Sequence, residues 1–262
     1  MRRKRPRMTN GVVLWVGPSE VDGKVIVLLA TCLVRPSDNT KTGPMVQLLI
    51  MLVDEPPHEA VKNGNDKSVC GDCPARGGPT WKNWCYVLVW QSTLGIWKAF
   101  KRGAYPKGDV SDLIASRWSI RGGAYANHSS VPFEENEKIF SALSEAGKKW
   151  TLYEHDWRNC DQRLRQYAMA SCETIEDVRE AISMGWRPYW ACLPEDIRAA
   201  KEEALLECPF RLDDPATPQC ADCGLCNGKK EEDYRPGIFA PVHGASYKIE
   251  NYNKMRESLR VI

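Results

Sequence analysis

The stretch "RQYAMASCETIEDVREAISMGWRPYWAC", Arg165 to Cys192, decides how this chain is read. Two short apolar runs, "RQYAMASC" and "WRPYWAC", flank a segment of helical period. Thr174 is a good N-cap with Asp177 three residues on. Ile175, Val178, Ala181 and Ile182 then form an apolar stripe, and Gly185 stops the helix. Strand, helix and strand with such short joints predict parallel neighbours and a right-handed crossover. The pattern continues upstream. "KWTLYEH" (149–155) and "RWSIRGGAYA" (117–126) read as strands, separated by a helix that Ser130 and Pro132 open. Ile139, Phe140 and Leu143 give that helix one apolar face, and Gly147 ends it. The prediction is an α/β fold, a partial or complete TIM-like barrel, whose chemistry belongs at the C-terminal ends of the strands.

The start of the chain reads differently. Val12–Val16, Val25–Val34 and Met45–Val53 are strand-like with polar joints, which predicts an antiparallel N-terminal addition. Residues 54–84, rich in Gly, Pro and Asn, read as a long loop that something must organise. "CYVLVWQ" (85–91) reads as extended, and "STLGIWKAFKRGAYP" (92–106) as a helix stopped by Gly103. The predicted organisation is a basic tail (1–10), N-terminal strands (11–60), a barrel-like core that includes the first cysteine loop (61–205), and a Cys-rich, metal-binding C-terminal segment (206–262).

With 43% hydrophobic and 27% charged residues, the 262-residue chain has an ordinary globular composition. No apolar run is long enough for a membrane helix, and no signal-peptide pattern opens the chain, so the expected location is cytoplasmic. Net charge is +2, but Arg2, Arg3, Lys4, Arg5 and Arg7 carry more than all of it. The 36 basic residues fall to 31 without those five, against 34 acidic ones. Only the tail, and the helix bearing Trp97, Lys98, Lys101 and Arg102, suggest contact with nucleic acid. Core packing is the simpler role for most of the ten tryptophans.

Eleven cysteines cannot all pair, and a chain of this size without a leader argues against a disulfide scaffold. Metal ligation explains them better. Cys220, Cys223 and Cys226 form C-x2-C-x2-C, and Cys208 precedes Pro209, the ligand pattern of a bacterial-type four-iron (4Fe–4S) cluster. A four-thiolate zinc site is the alternative. Cys70, Cys73 and Cys85 form a second group with only three local thiols. It is either an open cluster able to bind a ligand, or a closed metal site whose fourth ligand, such as His58, comes from elsewhere. Cys32, Cys160, Cys172 and Cys192 lack ligand spacing and read as buried thiols. At predicted strand ends Asn127, Glu154 and His155 are candidates for proton transfer or substrate binding, with Tyr125 and Gln91 weaker.

The stretches "GNDKSVCGDCPARG", "CYVLVWQSTLGIWKAFKRG", "GAYANHSSVPFE", "YAMASCETIEDVREAISMGWR" and "CADCGLCNG" resemble a family of cysteine-rich proteins from phages and mobile elements, over roughly residues 42–228. That family in turn looks like a divergent relative of radical S-adenosylmethionine barrels, a fold-level analogy. The usual C-x3-C-x2-C motif of radical enzymes is absent here, and Ala126-Asn127-His128 stands where the family has Gly-Asp-Pro. The resemblance implies an iron–sulfur enzyme of the host cytoplasm. Cys70, Cys73 and Cys85 would hold an open cluster that binds S-adenosylmethionine, and Cys208, Cys220, Cys223 and Cys226 a closed one. The substrate would be a nucleotide, nucleic acid or other small molecule. The competing expectation is a non-enzymatic protein, stapled by zinc or a closed cluster, that binds DNA or a host protein.

Overall fold

A computed structural model describes residues 9–79, 81–211, 213–242 and 245–259. The basic cluster Arg2–Arg7 lies outside them. Strands β1 (Gly11–Pro18), β2 (Val25–Thr31) and β3 (Met45–Leu52) form the expected antiparallel start. β2 is buried along nearly its whole length, which explains its unbroken Val/Ile/Leu run.

The segment after β3 departs from the expected loop. It folds into helices α1 (Pro57–Asn63) and α2 (Lys67–Cys70) and a 3-10 turn at Pro74–Arg76. "CYVLVWQ" is not a strand, and α3 (Ser92–Lys101) follows it directly, then α4 (Val110–Ala115). A β-branched run becomes a strand only when it pairs; β3, which precedes it in the chain, already has β2 and β4 as neighbours, and the run joins neither sheet.

From β4 (Ser119–Tyr125) the predicted alternation holds: α5 (Phe133–Glu145), β5 (Trp150–Thr151), β6 (Tyr153–Glu154), β7 (Met169–Cys172), α6 (Ile175–Ser183) and β8 (Pro188–Cys192). Thr174 and Asp177 form the reciprocal capping box at the start of α6. Ile182, assigned to the buried stripe from sequence, is 47% exposed. Beyond β8 come α7 (Ile197–Glu202), β9 (Leu206–Glu207), α8 (Cys220–Cys223), β10 (Ile238–Pro241) and α9 (Ser246–Leu259).

Two five-stranded sheets result, ordered β1-β2-β3-β4-β5 and β6-β7-β8-β10-β9. They meet at one stretch of chain, residues 150–154. Its first half pairs with β4 and its second half with β7, while Leu152 N–H turns aside to Cys226 O at 2.9 Å. Every pairing from β3 to β10 is parallel. Each such strand lies beside its successor in the chain, except that β9 sits outside β10. The strands do not close into a ring among the described residues, so the complete TIM-like barrel is not formed. The C-terminal segment supplies strands to this sheet.

The two faces of the parallel strands differ. Ile120, Trp150, Leu152, Ala170 and Trp190 face α5 and α6 and are buried with Phe140, Leu143, Val178 and Ala181 in the main core. The alternate residues Arg121, Tyr153 and Tyr189 face the other way and are only half-buried. Among the described residues, no helix is long and apolar enough to cross a membrane.

Candidate functional site

Both cysteine groups lie on the side of the sheet away from α5 and α6, towards opposite ends of β4. The first is built on α2 and its exit. Cys70 ends the helix, and Gly71 turns away with φ 58° against the Asp156 carboxylate, where a Cβ would sit 2.9 Å from Oδ2. Cys73 N–H donates to Cys70 O (3.2 Å) and Cys85 N–H to Ala75 O (3.1 Å). Arg76 clamps this turn through two bonds to Asp66 (2.8 and 2.6 Å), with further bonds to Gly71 O and Gly64 O.

The C-terminal ends of the strands meet this loop. Asn127, just past β4, donates from Nδ2 to Cys70 O (2.8 Å) and from its backbone N–H to Val69 O (2.9 Å). Its Oδ1 lies 3.3 Å from His155 Nδ1. Asn127 and His155 are thus joined to the first cysteine loop. Burial drives the His155 ring down to a pKa of about 4, so it is neutral. Glu154 points to the opposite face. Its carboxylate accepts from Ser129 N–H (2.9 Å), Ser129 Oγ (2.9 Å) and Asp156 N–H (3.0 Å), and so holds the 127–129 turn in place. That geometry makes Glu154 a positioning residue.

Sequence reasoning missed Glu173. It follows β7 directly and is buried, and burial pushes its carboxyl well above the ordinary range. It also raises the Cys73 thiol electrostatically, after the larger effect of burial and the neighbouring cysteines. The signal was present, an acid at a strand end, but it was absorbed into the Thr174 capping sequence. Two more buried groups stand near these thiols without any partner: the Tyr125 hydroxyl, and Nε1 of Trp84, which packs in one cluster with Cys73 and Cys85. Helix α9 covers this side. Lys248 Nζ bonds Cys85 O, Asn251 Nδ2 bonds Asn83 O (3.1 Å), and the Tyr252 ring meets Trp84 edge-on at 4.9 Å.

The second group gathers where β4 and β5 begin. Cys208, Cys220, Cys223 and Cys226 line one small pocket together with Thr151, Pro209, Phe210 and Ile238. Ser119 Oγ donates to Ala221 O (2.7 Å), and Lys149 Nζ donates to Asp222 O. Gly224 takes the left-handed turn after α8 with φ 66°. Burial raises the Cys226 thiol to about 12, against a hydrogen bond from Tyr153 and with repulsion from the other three cysteines.

Arg187 supplies the least expected element. It is 2% exposed, and its guanidinium donates to Pro236 O and to Leu225 O (3.0 Å) and Asn227 O (2.8 Å), the two carbonyls that bracket Cys226. Asp233 is within electrostatic reach, but Arg235 pairs with it at 2.5 Å. Two guanidiniums therefore face one carboxylate, leaving a buried positive charge beside Cys226. Such a charge is costly unless something anionic balances it. A metal bound by four thiolates would be anionic and would balance it.

The remaining sequence candidates disperse. His58 lies on α1 beside Glu59 (3.4 Å). Cys172 and Cys192 are buried thiols as expected, whereas Cys32 and Cys160 are half-buried. Trp97 uses its indole N–H on Leu52 O (2.9 Å) and packs against the core. Among the described residues, no three His, Cys, Asp or Glu side chains are grouped so as to hold a metal ion. Comparison with protein-family models, curated proteins and solved structures finds no match to this chain.

Two titrations at this site act on stability in opposite directions. Glu154, raised from 4.5 to about 7 by burial, contributes stability fully below 4.5 and loses it as pH rises towards 7. His128, fully buried with Nδ1 at 2.6 Å from Asn136 Oδ1, is lowered from 6.5 to about 4; its contribution is complete above 6.5 and is lost as pH falls to 4. Each shift corresponds to about 3 kcal/mol. Urea unfolding of Glu154→Gln between about pH 5 and 7.5 should therefore gain on wild type by up to ~3 kcal/mol as pH rises. Parallel curves would contradict that assignment.

Proposed function

We propose that this protein is an iron–sulfur enzyme on a partial TIM-like barrel, similar to radical S-adenosylmethionine enzymes. Cys70, Cys73 and Cys85 would hold an open four-iron cluster, and Cys208, Cys220, Cys223 and Cys226 a closed one. The observation that carries the reading is the pair of buried, unpartnered donors, Tyr125 OH and Trp84 Nε1, beside three thiols at the C-terminal ends of parallel strands. Donors in that position suit the sulfides and thiolates of a cluster. The sequential parallel strand order supports the barrel. A single zinc ion needs four sulfurs about 2.3 Å from one point. A four-iron cube instead takes each thiolate on a separate corner, which suits the C-x2-C-x2-C spacing of Cys220, Cys223 and Cys226.

A cluster held by three thiolates would offer one iron for the amino and carboxylate groups of S-adenosylmethionine, and an electron for its reduction. The protein's own residues do the rest. Asn127 fixes the Cys70 carbonyl. His155, neutral, can hydrogen-bond a substrate without a counter-charge. Glu154 and Ser129 hold the turn that carries Asn127. The substrate is a nucleotide, nucleic acid or other small molecule, and the reaction takes place in the cytoplasm of a host cell.

One observation favours the rival reading, a metal-stapled binding protein with a zinc ion or a closed cluster. Helix α9 lies over Cys85 and Trp84 and restricts access from that side. Paramagnetic resonance separates the two. In reduced protein containing two clusters, S-adenosylmethionine should perturb one signal, and Cys85→Ala should abolish the perturbation while sparing the signal from the C-terminal site. No change in such protein would favour the binding protein.

A further inference from the structure

Arg121 sits on β4 with its side chain on the face that carries both cysteine groups. Its cross-strand neighbours there are Gln47 on β3 and Thr151 on β5. Thr151, its neighbour on β5, lines the pocket of Cys208, Cys220, Cys223 and Cys226. Gln47 already spends its amide on Ser37 Oγ (3.0 Å) and Met45 O (3.2 Å), and Thr151 is uncharged. No Asp or Glu occupies this face on the strands from β3 to β10, and among the described residues Arg121 makes no ion pair or hydrogen bond through its side chain. The neighbouring positions Val46 and Ile120, which point the other way, are fully buried, yet Arg121 and Gln47 are only half-buried. A half-buried guanidinium with no ion pair or side-chain hydrogen bond among the described residues therefore sits on β4, whose opposite ends carry the two thiol groups. Other arginines near the sites are spoken for: Arg76 by Asp66, Arg187 by three carbonyls, Arg235 by Asp233.

We propose that Arg121 is the oxyanion-recognising residue of a substrate cleft on this face, and that the substrate carries a phosphate or carboxylate group. The inference deepens the enzyme reading and rests on it for the word substrate; the anion site itself does not need a cluster. The planar fork of arginine matches two oxygens of either group. Tyr153 and Tyr189, whose rings lie 4.6 Å apart, form the wall beyond Thr151 and could pack against the body of the ligand.

The test titrates inorganic phosphate and, separately, acetate into anaerobically purified full-length protein by calorimetry, with iron and sulfide measured on each sample. Wild type should bind at least one of them at a single site. Arg121→Gln should weaken that binding tenfold or more, Arg121→Lys should retain part of it, and Lys230→Gln, on an outer groove, should not change it. Phosphate alone would assign a phosphorylated substrate, acetate alone a carboxylate. No binding by wild type, or equal loss in Lys230→Gln, would overturn the proposal, as would undiminished binding in Arg121→Gln or, should that variant not fold, in Arg121→Lys. Iron retained without anion binding overturns this inference alone. Anion binding in protein that holds no iron and sulfide overturns the cluster reading and leaves the anion site standing.

Discussion

Cys223→Ala is expected to give protein that is insoluble or stripped of metal at the C-terminal site. Cys223 closes α8 and faces the same pocket as Cys208, Cys220 and Cys226. The surrounding chain has little regular structure of its own. It leans on the rest of the fold through bonds such as Cys220 N–H to Lys41 O and Ala221 N–H to Thr42 O. Thiolate ligation can contribute on the order of 10 kcal/mol to folding, comparable to the whole stability of a domain. If the four cysteines ligate a metal as proposed, losing one ligand in four should unfold this region or release that metal. Soluble, fully metallated Cys223→Ala with an unchanged melting temperature would refute the assignment.

Arg187→Met should have the next largest effect. The substitution fills similar space but leaves three part-buried carbonyls, Pro236 O, Leu225 O and Asn227 O, without their donor. A fully buried unsatisfied group costs about 1–3 kcal/mol, and partial burial reduces that, so a loss of roughly 2–3 kcal/mol is expected. If the guanidinium balances an anionic four-thiolate centre, the variant should also lose metal from that site before it loses metal from Cys70, Cys73 and Cys85. Destabilisation with metal retained equally at both sites would confine Arg187 to packing. Chemical denaturation together with metal content in the two cysteine-variant backgrounds measures both effects.

The alternation from β4 to β8 was legible because local signals agreed with one another. The Thr174–Asp177 box, the glycines at 147 and 185, and short apolar runs all marked the same boundaries. Alternation along a strand puts Glu154 on the face of Leu152 and His155 on that of Tyr153, and the structure has His155 beside Asn127 and Glu154 against Ser129. What escaped was non-local. Val87–Val89 looks like a strand but pairs with none among the described residues. β10 is only four residues long and joins the sheet after a loop of some thirty residues from β9, too far for periodicity to foresee. Arg187 looks from sequence like any strand-edge cation. Its meaning lies in carbonyls about forty residues away, and hydrogen bonds over that separation leave no trace in local pattern. Glu173 was hidden by a correct local reading, since the capping motif already accounted for the stretch.

The central claim is that the seven cysteines of the two groups hold iron–sulfur clusters, one open and one closed. Anaerobic purification followed by iron, acid-labile sulfide and zinc analysis, with an absorption spectrum on the same sample, tests it most directly. Two four-iron clusters predict about eight irons and eight sulfides per chain, with broad absorption near roughly 400 nm that bleaches on reduction. Colourless protein carrying stoichiometric zinc and no sulfide would contradict it.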